Sequence, residues 1–108
     1  MPVKTLAVDP ETATKETTVT ELAQRMLDEE LGDLIVVEND EPVGIVTDRD
    51  IALAVAQYDD MADLTAADIM TTDPITIHED ATAVDLPAKM AEGFVRRIPV
   101  VDDDGKLV

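Results

Sequence analysis

The chain of 108 residues is 45% apolar and contains no cysteine, so it can bury a core but has no disulfide and no thiolate metal site. Its 25 acidic and eight basic residues give a net charge of −17, which argues against a nucleic-acid backbone or an anionic membrane as partner. No apolar run approaches the ~18 residues of a membrane span, and no basic-then-apolar signal opens the chain, so we expect a cytoplasmic protein.

The acidic residues are dispersed along the chain rather than gathered in one tail, with clusters at residues 28–30, 59–60 and 102–104. This dispersion, together with few lysines, is typical of proteins from a salt-rich cytoplasm. At ~1 M salt the Debye length is only ~3 Å, so the self-repulsion of the surface is largely screened. We therefore expect a halophilic protein, with plain solubility as the alternative reason for the charge.

The first predicted elements are a short strand near residues 10–14 and an amphipathic helix after it. Thr18 and Glu21 have the spacing of a capping box, and the apolar residues that follow recur at helical spacing. That apolar stripe consists of Val19, Leu22, Ala23, Met26 and Leu27. Gly32 is expected to end the helix, and residues 34–37 to form a buried strand.

After a turn at residues 39–42, the stretch 43–51 predicts a strand followed by a second helix. The apolar residues after Gly44 predict a strand buried on both faces, and Thr47 is placed to cap the helix. The apolar positions of this helix are Ile51, Ala54, Val55 and Tyr58. A hydroxyl at Thr47 and a carboxylate at Asp50 can also meet a phosphate and a sugar diol, although an ordinary capped helix is the alternative interpretation.

The second half of the chain predicts the same kinds of element after a polar linker at residues 59–64. A helical turn is expected at 65–70, a strand at 74–77, a further apolar stripe from Ala83 to Phe94, a strand at 98–101 and a turn at 102–105. Pro87 lies inside the stripe, where an interior proline costs about 3 kcal/mol, so the helix is expected to start near Asp85 or to bend.

An internal repeat organises these elements. A shift of 64 positions places Asp9-Pro10 on Asp73-Pro74 and Val36-Val37 on Val100-Val101, which predicts two copies of a β-α-β-β-α unit. The first copy covers residues 1–58, the linker 59–64 and the second copy 65–108. The second copy stops before its last strand and helix, as in a shortened chain or a clipped gene. We expect an apolar strip to be exposed there unless another chain covers it.

Three segments resemble the CBS-domain pair, a regulatory module named after cystathionine β-synthase. They are Gly44-Ile45-Val46-Thr47-Asp48-Arg49-Asp50, Asp68-Ile69-Met70-Thr71-Thr72-Asp73-Pro74 and Arg96-Arg97-Ile98-Pro99-Val100-Val101-Asp102. The resemblance implies an α/β (α+β) fold in which tandem β-α-β-β-α units pack as a pseudo-twofold pair, here with an incomplete second copy. The first copy departs from the family pattern at residues 33–35, and its entry segment at residues 4–8 matches the family's entry segment poorly.

The resemblance also implies a function: binding of AMP, ADP, ATP or S-adenosylmethionine in the cleft between the copies, with the occupancy passed to a partner. Asp50 matches the family's ribose-binding carboxylate and Thr47 its phosphate-contacting hydroxyl. The backbone at Thr12 and Ala13 would meet adenine, with Ile75 and Thr76 as counterparts in the second copy. One intact site at most is expected. The candidate site residues are Thr47, Asp50, Arg49, Thr12, Ala13, Ile75, Thr76, Arg96 and Arg97.

Three arginines, Arg49, Arg96 and Arg97, lie beside the proposed clefts, where they can bind phosphate or simply offset acidic neighbours. His78 is the only histidine, so no histidine-based metal site or triad is possible, and it is expected to end a strand at the surface. No cofactor is required, although an acidic cluster can hold Mg²⁺ weakly together with a nucleotide phosphate.

Three functions compete at this point. A nucleotide-sensing module is favoured by Thr47, Asp50 and the arginine pair. A ligand-free oligomerisation or protein-interaction module is favoured by the degenerate first entry and the missing second motif. An enzyme is rejected because no nucleophile lies beside a base. A homodimer and an unknown regulated protein are expected in either of the first two cases.

Overall fold

A computed structural model of the chain describes residue 2 and residues 11–82 and 98–108. The elements in chain order are β1 (Thr12–Ala13), α1 (Val19–Glu29), β2 (Asp33–Glu38), β3 (Glu41–Thr47), α2 (Asp48–Gln57), α3 (Ala66–Ile69), β4 (Thr71–Thr72), β5 (Ile77–His78) and β6 (Val100–Val101). The β-α-β-β-α order of the first copy is confirmed. The predictions for residues 83–97, including Pro87 and both arginines of the pair, and for the entry at 4–8 lie outside the described residues.

The main sheet has the strand order β1-β2-β3-β4, so β1 and β4 are its edges. Strand β1 runs parallel to β2, with Thr12 opposite Ile35, and β2 runs antiparallel to β3. The turn between β2 and β3 holds Asn39 and Asp40 at φ 53° and 65°. Two consecutive left-handed residues are typical of the tight turns that match the twist of a hairpin.

The core lies between this sheet and its helices. Its buried residues are Ala13, Leu22, Met26, Leu34, Val36, Val46 and Ala66. Ile45 and Val46 are consecutive and therefore point to opposite faces of β3, and they are 5% and 0% exposed. The prediction of a strand buried on both faces is confirmed.

Helix α1 departs from the prediction at its C-terminal end. The helix stops at Glu29, and Glu30 rather than Gly32 adopts the left-handed conformation, at φ 56°. The N–H of Leu31 then donates to Met26 O at 2.9 Å, and the half-buried Leu31 packs against the core. The helix therefore ends before Gly32, because the packing of Leu31 against the core requires the chain to leave the helix at Glu30.

The apolar stripe of each helix is narrower than predicted. In α1 only Val19, Leu22 and Met26 are buried, whereas Leu27 is 73% exposed and Ala23 is also exposed. In α2 only Ala54 is buried, and the large apolar residues left at the surface are Leu53 and Val55, followed by Tyr58 just after the helix. Each helix contacts the sheet along one line of side chains, so positions about 100° further round face solvent within a single chain.

The second copy forms shorter strands than predicted. The strand expected at 74–77 begins only at Ile77, and the one expected at 98–101 is reduced to β6. Pro99, just before β6, accepts from Ile77 N at 3.0 Å but has no N–H of its own to donate. Ile77 pairs with Val100, as Ala13 pairs with Val36 64 residues earlier.

The two copies exchange segments, which the sequence did not predict. Strand β4, at the entry of the second copy, pairs with β3 of the first copy. Thr18 bridges to Thr65, and Thr82, which is 64 residues after Thr18, bridges to Pro2. Each copy therefore pairs with the entry of the other, as expected of a pseudo-twofold arrangement.

The chain end also contacts the first copy. The turn predicted at 102–105 is confirmed, with Gly105 at φ 78°, and the N–H of Val108 donates to Val100 O at 2.9 Å. Leu107 N donates to Asp40 O at 2.7 Å, and Lys106 Nζ donates to Asn39 O at 2.9 Å. In the described part of the chain, no helix has the length and apolar character needed to cross a membrane.

Candidate functional site

The junction of β3 and α2 brings Thr47 and Asp50 together. Thr47 Oγ1 accepts a hydrogen bond from Asp50 N at 3.1 Å, and Asp50 Oδ2 accepts one from Thr47 N at 2.8 Å. Both side chains are half-buried. This reciprocal pair is a capping box, so the ordinary capped helix is present. Each group keeps capacity for a further partner, because Asp50 Oδ1 and the hydroxyl hydrogen of Thr47 take no part in the box.

The same junction is fixed by the start of β2. Thr47 lies opposite Asp33 in the β2–β3 ladder, and Asp48 N donates to Gly32 O at 2.9 Å. Asp33 is 5% exposed, which makes it the buried charged residue of the described chain. The N-terminus of α2 is therefore attached to two strands, so the direction of its helix axis at this end is defined.

The backbone of Thr12 lies on an open edge of the sheet. Ile35 N donates to Glu11 O at 3.3 Å, so the polar groups of Glu11 and Ala13 face β2. The N–H and C=O of Thr12 point the other way, and β1 is a terminal strand. Of the two residues predicted to offer backbone groups, Thr12 presents them outward, while Ala13 uses its own in the ladder and buries its side chain.

Thr12 and the capping box are separated by a distance that one small ligand can span. Thr12 is level with Ile35 and, across the next ladder, with Ile45; Thr47 lies two residues further along β3. Two strand spacings across and two residues along give a backbone separation of about 12 Å. A nucleotide has comparable length from base to phosphate.

Arg25 contacts the predicted site, although sequence reasoning did not select it. Its guanidinium donates from Nη1 to Thr12 O, from Nη2 to Glu11 Oε2 at 3.0 Å and from Nε to Glu29 Oε2 at 3.3 Å. Only the spacing of Arg25 and Glu29, four residues apart on a helix, can be read from the sequence. The contact with Thr12 depends on how α1 packs beside β1.

Arg49 is exposed in the first turn of α2. Ion pairs join the other described basic side chains to carboxylates: Lys15 to Glu38, Arg25 to Glu11 and Glu29, and Lys106 to Glu41. The Glu38 carboxylate, as hydrogen-bond acceptor and as charge, raises the pKa of Lys15 above 10.5. Arg49 forms no ion pair with any residue that the structure describes, at a helix end where a cation is unfavourable.

Of the predicted site residues in the second copy, the structure describes only Ile75 and Thr76. Ile75 and Thr76 are half-buried and precede β5. The register of β5 makes Thr76 and Ile77, rather than Ile75 and Thr76, the counterparts of Thr12 and Ala13, which corrects the predicted correspondence by one residue. Arg96 and Arg97 lie outside the described residues.

The remaining polar clusters have structural partners. His78 ends β5, half-buried, with Nε2 bonded to Asp103 Oδ1 and Nδ1 accepting from Asp80 N at 3.1 Å. Within residues 11–82 and 98–108, no group of three or more histidine, cysteine or acidic side chains is arranged to hold a metal ion. The described carboxylates therefore supply no metal site of their own.

Comparison with known proteins covers both halves of the chain. The family model for the CBS domain matches residues 3–57 and 66–108. An uncharacterised protein of Methanopyrus kandleri is 38% identical over 93 residues, which are 84% of this chain and 47% of that protein. The chain thus spans about half the length of this relative.

Solved structures share the whole fold. A CBS domain protein from Pyrobaculum aerophilum complexed with AMP has a TM-score of 0.86 and 28% identity, covering 100% of this chain and 84% of that one. The CBS domain pair of protein MJ0100, in complex with 5′-methylthioadenosine and S-adenosyl-L-methionine, has a TM-score of 0.84 and 33% identity, covering 100% and 86%. With a family match to each copy and this agreement in fold, the chain belongs to the CBS domain family.

Proposed function

We propose that this protein is a regulatory module that binds an adenosine-containing ligand beside the β3–α2 junction. CBS domain proteins are generally regulatory rather than catalytic. The observation that carries the proposal is Arg49, an exposed arginine with no ion pair among the described residues, next to the Thr47–Asp50 capping box. An anionic ligand at this helix end would give that arginine a partner that none of the described residues supplies.

The phosphate part of the ligand is assigned to the start of α2. The N-terminus of a helix carries a positive dipole, and Arg49 adds a bidentate donor. The N–H groups of Asp48 and Asp50 already donate to Gly32 O and Thr47 Oγ1, so the guanidinium is the main donor assigned to the phosphate. A hydrogen bond to a charged group contributes about 1.5–3 kcal/mol. That is a large part of the roughly 8 kcal/mol that a micromolar complex releases. In the proposed complex the Thr47 hydroxyl donates to the same phosphate.

The sugar and the base are assigned to the two neighbouring features. Asp50 keeps Oδ1 outside the capping box, and a carboxylate oxygen can accept from both hydroxyls of a ribose. The outward-facing backbone of Thr12 supplies a donor for the base, and an acceptor that the base would share with Arg25 Nη1. AMP, 5′-methylthioadenosine and S-adenosyl-L-methionine, which solved relatives hold, share adenosine as their common part.

We further propose that the bound ligand acts through a regulated protein and that the module works in a salt-rich cytoplasm as a homodimer. Val55 in α2 and Tyr58 just after it are 61% and 41% exposed in one chain and lie on one side of the helix, whereas Leu53, 46% exposed, lies on the other side. A second copy would remove this apolar area from water.

The exposed apolar residues of α2 also favour a second candidate function, a ligand-free oligomerisation or protein-interaction module. The two candidates differ at Asp50. In a sensor, loss of this carboxylate removes ligand binding, whereas in an interaction module it leaves oligomerisation unchanged.

A calorimetric and thermal-shift screen at high salt tests the sensor. The ligands are AMP, ADP, ATP with and without Mg²⁺, S-adenosylmethionine and NAD. We expect one adenosyl ligand at 100 times its Kd to stabilise the protein by about 2.7 kcal/mol. We expect Asp50→Ala to abolish that effect, and Asp50→Asn, which can still accept from Thr47 N, to weaken it strongly.

The control is Asp68→Ala, because Asp68 Oδ2 accepts from Thr65 N at 2.9 Å at the start of α3, as Asp50 Oδ2 accepts from Thr47 N at the start of α2. This variant loses a comparable contact at a different helix and should bind normally. If no ligand stabilises the folded wild-type protein, or if both alanine variants bind equally well, the sensor proposal is wrong.

A further inference from the structure

We propose that Arg25 sets how strongly this site discriminates between purines, lowering its preference for adenine, which has a donor at position 6, over purines with an acceptor there. The inference rests on the proposed function, since it concerns the base of the same nucleotide. It begins from one contact: the carbonyl of Thr12, on the open edge of β1, is already bonded to Arg25 Nη1.

The guanidinium is held in this place from two sides. Glu11 Oε2 binds Nη2 at 3.0 Å, and Glu29 Oε2 binds Nε at 3.3 Å. The Arg25 side chain is one-third exposed, and it projects from the middle of α1 beside the core position Met26. A base that approaches Thr12 therefore meets a fixed cation as well as a carbonyl oxygen.

The chemistry of the two kinds of purine differs at this point. The 6-amino group of adenine is a donor, so it must share the Thr12 oxygen with a guanidinium whose remaining N–H groups are also donors. The 6-oxo group of hypoxanthine is an acceptor, so it can receive a hydrogen bond from those N–H groups. A guanidinium in contact with a base edge thus reduces the preference for adenine that a free backbone carbonyl would give.

The test measures the affinities of adenosine and inosine 5′-monophosphate for the whole chain by calorimetry at high salt. We expect Arg25→Met to raise the ratio of AMP to IMP affinity about tenfold, the effect of one hydrogen bond to a charged group. Methionine keeps the unbranched stem and the helix propensity of arginine but removes the guanidinium and its donors.

The matched control is Arg49→Met, which removes a cation of the same size at the phosphate end. This variant should weaken both nucleotides by a similar factor and leave their ratio unchanged. Glu29→Gln is a second route to the same answer if Arg25→Met does not fold: it loosens the guanidinium without removing it, and should move the ratio in the same direction by a smaller factor.

The outcomes separate this inference from the function on which it rests. If both nucleotides bind, are lost in Asp50→Ala, and keep the same affinity ratio within twofold in Arg25→Met, the inference is wrong while the site stands. If neither nucleotide binds the folded wild-type protein, the assignment of the site fails and this inference fails with it.

Discussion

At the scale of single residues, the backbone conformation of Glu30 departs from what its side chain favours. A residue with a Cβ in the left-handed region loses roughly 1 kcal/mol relative to glycine. Glu30 holds φ 56° because the next residue must reach the core. Gly32 was predicted to make this turn, because glycine adopts the left-handed conformation most easily. The turn occurs at Glu30 instead, because there it places Leu31 against the core.

We therefore predict that Glu30→Gly stabilises the protein by about 0.5–1 kcal/mol, because glycine adopts this conformation without a steric penalty but loses more entropy on folding. Urea denaturation at fixed high salt measures the change. Glu30→Ala is the control, because it removes the same carboxylate but keeps the Cβ. Equal stabilisation by both variants would assign the effect to charge and contradict the conformational explanation.

At the scale of elements, the contact between β3 and β4 depends on Gly44. A Cβ built there would lie 2.5 Å from Met70 Sδ and 3.1 Å from Thr71 O. The methionine can move, but the carbonyl belongs to the backbone that β4 contributes to the sheet. The absence of a side chain at Gly44 thus permits the exchange of a strand between the copies.

We predict that Gly44→Ala destabilises the protein by about 1–3 kcal/mol, the usual cost of adding a methyl group to a filled space. Denaturant titration of Gly44→Ala, with and without Met70→Ala, separates the two contacts. Met70 packs against the core, so its own truncation costs stability, and the comparison is the cost of Gly44→Ala in each background. That cost should be smaller in the Met70→Ala background by the part that overlap with the methionine side chain causes. An unchanged unfolding free energy for Gly44→Ala would contradict the close packing of β3 and β4.

Features that depend on neighbouring residues could be predicted from the sequence, whereas contacts between distant segments could not. The Thr47–Asp50 junction and the order of the first copy could be predicted, because caps, strands and turns depend on neighbours along the chain. Thr18 does accept from Glu21 N at 3.1 Å, as its spacing indicated. The pairing of β4 with β3 and the contact of Arg25 with Thr12 could not be predicted, since they join segments whose proximity only the packed fold creates.

At the scale of the whole molecule, a net charge of −17 on 108 residues opposes the compact state through self-repulsion. The described cations relieve little of it, because Lys15, Arg25 and Lys106 pair with carboxylates at partly exposed positions. Exposed ion pairs contribute about 0–1 kcal/mol each. Most of the repulsion therefore remains for the solvent to screen.

We predict that the unfolding temperature rises steeply between about 0.1 M and 1 M KCl, as the Debye length falls from ~10 Å to ~3 Å. Salts also strengthen the burial of apolar surface, so the rise alone does not identify its cause. The double variant Asp59→Asn and Asp60→Asn, in the exposed linker, removes two charges without touching the core. Calorimetric scans should give it a smaller dependence on salt than the wild type. If both proteins gain the same number of degrees over this range, salt acts through apolar burial, and the acidic surface is no adaptation to it.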